Sequence, residues 1–167
     1  KTKWIAAYND GIVAFNENLN NKFININVNN GNLPDPVVTC VALDNRNQLW
    51  IGTFRGLRIL SSVDRFLSET ELTTTNIVIQ EGDLAQELFF QQSIIDIAVD
   101  GANRKWVGSN NGVWLISEDA TKIIQRFTAD NSPLPSNTIN TISIDSKTGD
   151  VYFGTELGLV SFKSTAT

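Results

Sequence analysis

The chain has 167 residues, a net charge of −5 and an apolar fraction of 41%, which is the composition of a folded domain and not of a disordered segment. That acidic balance excludes the basic stripe of a nucleic-acid binder, and no apolar run approaches the roughly 18 residues needed to span a membrane. Histidine is absent and Cys40 is the only cysteine, which removes His-dependent triads, the commonest metal ligand and any intrachain disulfide.

The chain begins at Lys1 and contains no Met, so it reads as a mature or excised piece whose targeting segment, if there is one, is missing. The first recognisable unit is KWIAAYNDGIVAF, at residues 3–15. It returns as LWIGTFRGLRIL (49–60), KWVGSNNGVWLI (105–116) and VYFGTELGLVSF (151–162). The equivalent aromatics Trp4, Trp50, Trp106 and Tyr152 are 46, 56 and 46 residues apart, a period that indicates propeller blades.

From the second copy onward an alternating run comes first: VTCVALD, IDIAVD and INTISID. A polar turn follows, then the aromatic run, a short turn and a second apolar run that opens with Gly. Period-two alternation, β-branched residues and closely spaced turn signals predict short antiparallel strands. More polar outer strands are expected at DRFLSETE (64–71) and IIQRFTAD (123–130). The fold class expected is therefore all-β: residues 1–167 as one partial β-propeller of four-stranded antiparallel blades, four of them partial or complete. The blades fall at about 1–30, 36–80, 93–130 and 137–163; the first lacks an innermost strand and the last an outer one. Such a set is expected to be a segment of a larger ring, completed elsewhere or by another copy.

Within the strands, Gly52, Gly108 and Gly154 are expected where neighbouring blades approach closely, and Cys40 as a small buried hydrophobe. Asp44, Asp100 and Asp145 end the first strand of each unit and suit Asx-turn caps better than calcium ligands, because none opens a run of alternating acids. The longer interval before Trp106 contains DLAQELFF, where Asp83 as N-cap and a stripe of Leu84, Leu88 and Phe89 or Phe90 predict a short helical insertion near 82–91. It would serve as a packing plug or as a partner-docking knob.

No GxGxxG, P-loop, CxxC or paired-carboxylate pattern is present, so no enzyme, no cofactor and no metal site is expected. Binding is the expected activity, carried by loops on one face. The candidate ligand- or partner-binding residues are Tyr8, Asn9, Phe54, Arg55, Arg58, Asn110 and Asn111, beside the interblade loops GNLPDPV (31–37) and NSPLPSNT (131–138). Aromatic faces beside Asn and Arg suit sugar rings and anionic glycan groups. Arg104 and Lys105 are further candidates for a basic patch, with a solvated turn as the simpler expectation.

WIGTFRGL and its copies resemble the two-component regulator propeller repeat of Bacteroidota, which occurs in the sensor regions of hybrid histidine kinases. IAVDGANRKWVGSNNGVWLIS, FTADNSPLPSNTINTISIDSKTGDVYFGTELGLVSF and the terminal KSTAT are similar to the last blades of the PorZ family of the type IX secretion system. That resemblance implies a non-catalytic subunit of a cell-surface, outer-membrane-associated attachment complex, with protein partners of the PorU, PorV and PorQ kind. It also implies recognition of anionic lipopolysaccharide or another glycan, and a sorting domain after the propeller. The alternative it implies is the extracytoplasmic, ligand-sensing propeller of a hybrid two-component histidine kinase, facing the periplasm.

Overall fold

The structure is a computed structural model that describes residues 1–81, 84–164 and 166. β1 (Lys3–Ala7), β2 (Gly11–Asn16) and β3 (Lys22–Ile26) form the antiparallel sheet of blade 1. Blade 2 consists of β4 (Val38–Leu43), β5 (Leu49–Thr53) and β6 (Gly56–Leu60), and a two-stranded ribbon of β7 (Val78–Glu81) and β8 (Leu84–Glu87) follows it. Blade 3 has four strands: β9 (Ile94–Val99), β10 (Lys105–Ser109), β11 (Gly112–Ile116) and β12 (Ile123–Phe127). Blade 4 has β13 (Ile139–Ile144), β14 (Val151–Thr155) and β15 (Gly158–Phe162). The protein is an all-β propeller segment whose blades are mostly three-stranded, with blade 3 alone showing the full four among the described residues.

Two local expectations are corrected. DRFLSETE does not form an outer strand, because residues Arg65–Ser68 make a helical turn, α1. Arg65 donates to both carboxylate oxygens of Glu69 at 2.8 Å, an i,i+4 pairing that a strand would pull apart. Phe66 is fully buried beneath it, edge-on to Trp4 at 6.2 Å between ring centroids. Among the described residues the outer edge of β6 receives a single antiparallel bridge, Ile59 to Thr75.

Among its described residues the insertion near 82–91 is not helical. β7 and β8 pair from Val78–Glu87 to Glu81–Leu84, and a turn follows at residues 88–91. Asp83, the expected N-cap, lies outside the described residues. Leu84 is 65% exposed while the adjacent Leu88 and Phe89 are both buried, a burial pattern that no helical stripe produces. What decides the matter is the run NIVIQ, whose Ile77 and Ile79 alternate inward and find an antiparallel partner in LAQE.

Three apolar cores lie between the four blades. Leu49 and Ile51 of β5 meet Ile12, Ala14 and Ile24 of blade 1, whereas Trp50 on the other face meets Val107 and Ile116 of blade 3. Trp106 of β10 repeats this toward blade 4, packing on Phe153 at 5.6 Å and Phe162 at 5.4 Å. Both middle strands are therefore buried at every position. Innermost strands are stitched side to side: Thr39 Oγ1 donates to the Ile94 carbonyl at 2.7 Å, and the Ile142 amide donates to Asp96 Oδ2 at 2.7 Å.

The glycine inside each of these middle strands marks the close approach. A Cβ on Gly52 would lie 2.7 Å from Ile94 Cγ2, and one on Gly108 would lie 2.8 Å from Ile139 Cγ2. Ile139 is β-branched and stiff at χ1, so it cannot swing aside freely. Gly108→Ala is expected to destabilise the fold by about 1–3 kcal/mol in urea titration. A double-mutant cycle with Ile139→Ala should show favourable coupling between the two sites. An unchanged midpoint for Gly108→Ala would mean that blades 3 and 4 do not close on this residue.

Candidate functional site

The hairpin turns between the second and third strands of each copy share one frame. Thr53 Oγ1 donates to the Gly56 carbonyl at 2.8 Å and accepts the Arg55 amide at 3.2 Å. Ser109 does the same with Gly112 and Asn111 at 3.2 and 3.0 Å, and Thr155 with Gly158 and Leu157 at 2.9 and 3.2 Å. The glycine closing each turn has positive φ; at Gly112 (φ +100) a Cβ would also strike the Phe127 carbonyl. Blade 1 has Ala7 in place of the hydroxyl residue and turns through Asn9 at φ +68.

This frame leaves the turn side chains free to vary, and the interblade loops close against it. The Gly11 amide donates to the Pro36 carbonyl at 3.0 Å, and Gly112 to Asn137 at 2.8 Å. Tyr8 is 76% and Phe54 45% exposed on this end of the molecule. Phe54 and Arg55 line an open depression of about 480 Å³ together with Gln91. Tyr8 and Asn9 stand on blade 1, and Asn110 and Asn111 on blade 3, at the same end of their hairpins. Sequence reasoning missed Asp35, 3.4 Å from Arg55, and Arg126, which donates to the Asn111 carbonyl at 2.9 Å while lying 4.3 Å above the Trp114 ring. Neither lies in a repeated phrase, so periodicity gave no signal for them.

Arg58 is not free on this face. Its side chain is 10% exposed and donates to Glu87 Oε1 at 2.6 Å and to the Asn32 carbonyl at 3.0 Å. Glu87 comes from the inserted ribbon, so the pairing was not visible from the repeat. Arg104 and Lys105 lie at the opposite end of the strands, where Arg104 contacts Asp100 at 2.8 Å.

Lys105 is fully buried rather than part of a solvated turn. Its Nζ lies 2.8 Å from Asp44 Oδ2, donates to the Glu118 carbonyl at 2.9 Å and sits 4.8 Å over the Trp50 ring. Asp44 Oδ1 accepts the amides of Arg46 and Gln48, and Oδ2 accepts Trp50 Nε1 at 3.3 Å. Asp100 repeats this with Ala102, Arg104 and Trp106 Nε1. These aspartates cap their turns, as expected, and also fasten the blade tryptophans. Burial alone would raise the Asp44 carboxyl, but the Lys105 ammonium and the amides of Gln48 and Arg46 outweigh it and hold it below the ordinary value. Burial likewise pushes the Cys40 thiol up to about 12, which leaves it protonated and unreactive at neutral pH.

Residues 32–55 match the family described as two component regulator propeller. No curated protein matches the chain. Among solved structures, PorZ, an essential bacterial surface component of the type IX secretion system of Porphyromonas gingivalis, superposes on 97% of this chain with TM-score 0.85 at 25% identity. The extracellular domain of a hybrid two-component system of B. thetaiotaomicron superposes on 98% with TM-score 0.70, also at 25% identity. The chain spans 24% of the length of the first and 20% of the second. Virginiamycin B lyase of Staphylococcus aureus shares the fold over 97% of the chain at TM-score 0.59 and 15% identity. Among the described residues no helix is long and apolar enough to cross a membrane.

Lys105→Ala would leave a buried carboxylate uncompensated and should cost about 3–5 kcal/mol in urea titration, whereas Asp44→Asn with Lys105→Met should cost much less. Because Asp44 is held below its ordinary value of 3.8 in the folded protein, its share of stability is complete above that pH. That share disappears as pH falls through the lowered native value, so Asp44→Asn should flatten the acid limb of a stability–pH curve. An unaltered acid limb would remove Asp44 from the account.

Proposed function

We propose that the chain is part of a non-catalytic, cell-surface propeller of a type IX secretion attachment complex, associated with the outer membrane. The turn face carrying Tyr8, Asn9, Phe54, Arg55, Asn110 and Asn111 is its docking surface for protein partners of the PorU, PorV and PorQ kind and for lipopolysaccharide. The observation that carries this reading is the tighter superposition on PorZ than on the sensor domain at equal identity. A rigid blade frame with variable, exposed turn residues supports a binding role, and the lack of His or a paired-carboxylate motif agrees with a non-catalytic one.

The charge arrangement shapes how lipopolysaccharide would be held. Arg55, Arg58, Arg104 and Lys105 each face a carboxylate, so they do not combine into a free cationic patch. Contact would come from sugar rings against the exposed Tyr8 and Phe54 side chains, with Asn groups bonding hydroxyls. A second reading, the ligand-sensing propeller of a hybrid histidine kinase facing the periplasm, is favoured by the match of residues 32–55 to the two-component regulator repeat.

Surface cross-linking in the producing cells, purification of the tagged protein and mass spectrometry of its partners test the choice. Recovery of PorU- and PorV-like proteins is the expected result, and Tyr8→Ala with Phe54→Ala should weaken that association by more than about 1 kcal/mol without lowering stability. Covalent continuity with a transmembrane helix and kinase, found by sequencing the whole gene product, would overturn the secretion reading in favour of the sensor.

A further inference from the structure

The cavity between the inserted ribbon and blade 3 belongs to none of the sites above. It measures about 230 Å³, and its walls include Ile79, Phe89, Gln92, Trp114 and Ile123. Two of these residues hold polar atoms that are buried with no hydrogen-bond partner: Gln92 Oε1, an acceptor, and Trp114 Nε1, a donor. Buried polar atoms are nearly always satisfied, so an unmatched donor and acceptor on one cavity mark a group that accepts from the first and donates to the second.

The backbone points to the same place. Phe89, which lines the cavity, adopts φ of +62, a left-handed conformation that is costly for a side chain of this size and concentrates at binding sites. It lies in the longer interval between Trp50 and Trp106, outside the part of the repeat that the other copies share. Phe89 packs T-shaped against Trp114 at 5.4 Å between centroids, and Arg126 covers the Trp114 ring.

Charge and size narrow the occupant. Glu87 also lines the cavity, but its carboxylate is matched by Arg58 and by Asn76 Nδ2 at 3.0 Å, so the site attracts a neutral ligand. The volume falls below the roughly 300–1,000 Å³ typical of drug-sized ligands, which suits one ring and not an extended peptide. Gln86 and Gln92 line it beside the aliphatic and aromatic side chains, a mixed wall that suits the hydroxyls and the ring face of a sugar. We propose that this cavity binds a single neutral sugar residue, with Trp114 Nε1 donating to one hydroxyl or acetamido oxygen and Gln92 Oε1 accepting from its neighbour. The sugar class rests on the glycan-binding part of the proposed function, whereas the site itself does not.

The test follows the four indole N–H resonances of protein labelled in tryptophan with nitrogen-15, with Trp114 assigned through Trp114→Phe. Glucose, galactose, N-acetylglucosamine and N-acetylgalactosamine are titrated separately to about 10 mM, above a millimolar Kd. At least one should give a saturable shift of the Trp114 resonance that Gln92→Leu weakens at least about tenfold, while the thermal melt of that variant stays close to the parent. A Trp114 resonance that no sugar moves, and that exchanges only with water, overturns the proposal. So does a shift that survives Gln92→Leu, or one produced by N-acetylalanine methylamide and by no sugar. Loss of this site with PorU- and PorV-like capture intact would leave the proposed function standing.

Discussion

Successive sheets approach so closely that β5 and β10 are buried on both faces, with a bare glycine where the first strand of the next blade crosses. A hairpin of this kind cannot cover its own two faces, and the repeat exists because a neighbour can. The tryptophan beside each glycine then has a fixed environment: Trp50 and Trp106 are fully buried, each held by an aspartate from its own turn. Packing, turn capping and hydrogen-bond satisfaction thus converge on one small group of residues.

Between blades 2 and 3 the same contact encloses a charge. Lys105 occupies a position that is Leu49 in blade 2 and Val151 in blade 4, and its ammonium ends against Asp44 of the preceding blade. A buried pair gives little net stability over an apolar pair but a large penalty for separation, so losing one partner costs more than the pair adds. Together with Arg58–Glu87 and Arg104–Asp100, it also withdraws cations from the surface of an already acidic protein. On the turn face Tyr8 and Phe54 stand exposed, and the exposed Arg55 guanidinium faces Asp35.

The departures from expectation share a cause. At DRFLSETE and in the segment around LAQE, short apolar patterns fit either period, and tertiary partners decided between them. Phe66 found Trp4 and helped close a helical turn; Ile77 and Ile79 found blade 3 and LAQE and made a ribbon. Arg58 was read as a binding residue because its repeat gives no hint of Glu87, which stands 29 residues away in an insertion. The cavity beside that insertion has the same origin: Gln92 precedes β9 and Trp114 lies in β11, and only folding brings them to one cavity.

By itself the sequence determined the all-β class, the repeat, the interblade glycine contacts at Gly52 and Gly108 (Gly154 meets Thr141 of its own blade), the aspartate caps and the turns that carry Tyr8 and Phe54. Those features are local or periodic, and alternation, turn chemistry and spacing express them within a few residues. Only the tertiary structure decided which charges pair, which outer strands form and what the insertion becomes. Those outcomes depend on distances between blades, and a side chain on one sheet acquires its partner only when the next sheet has packed against it.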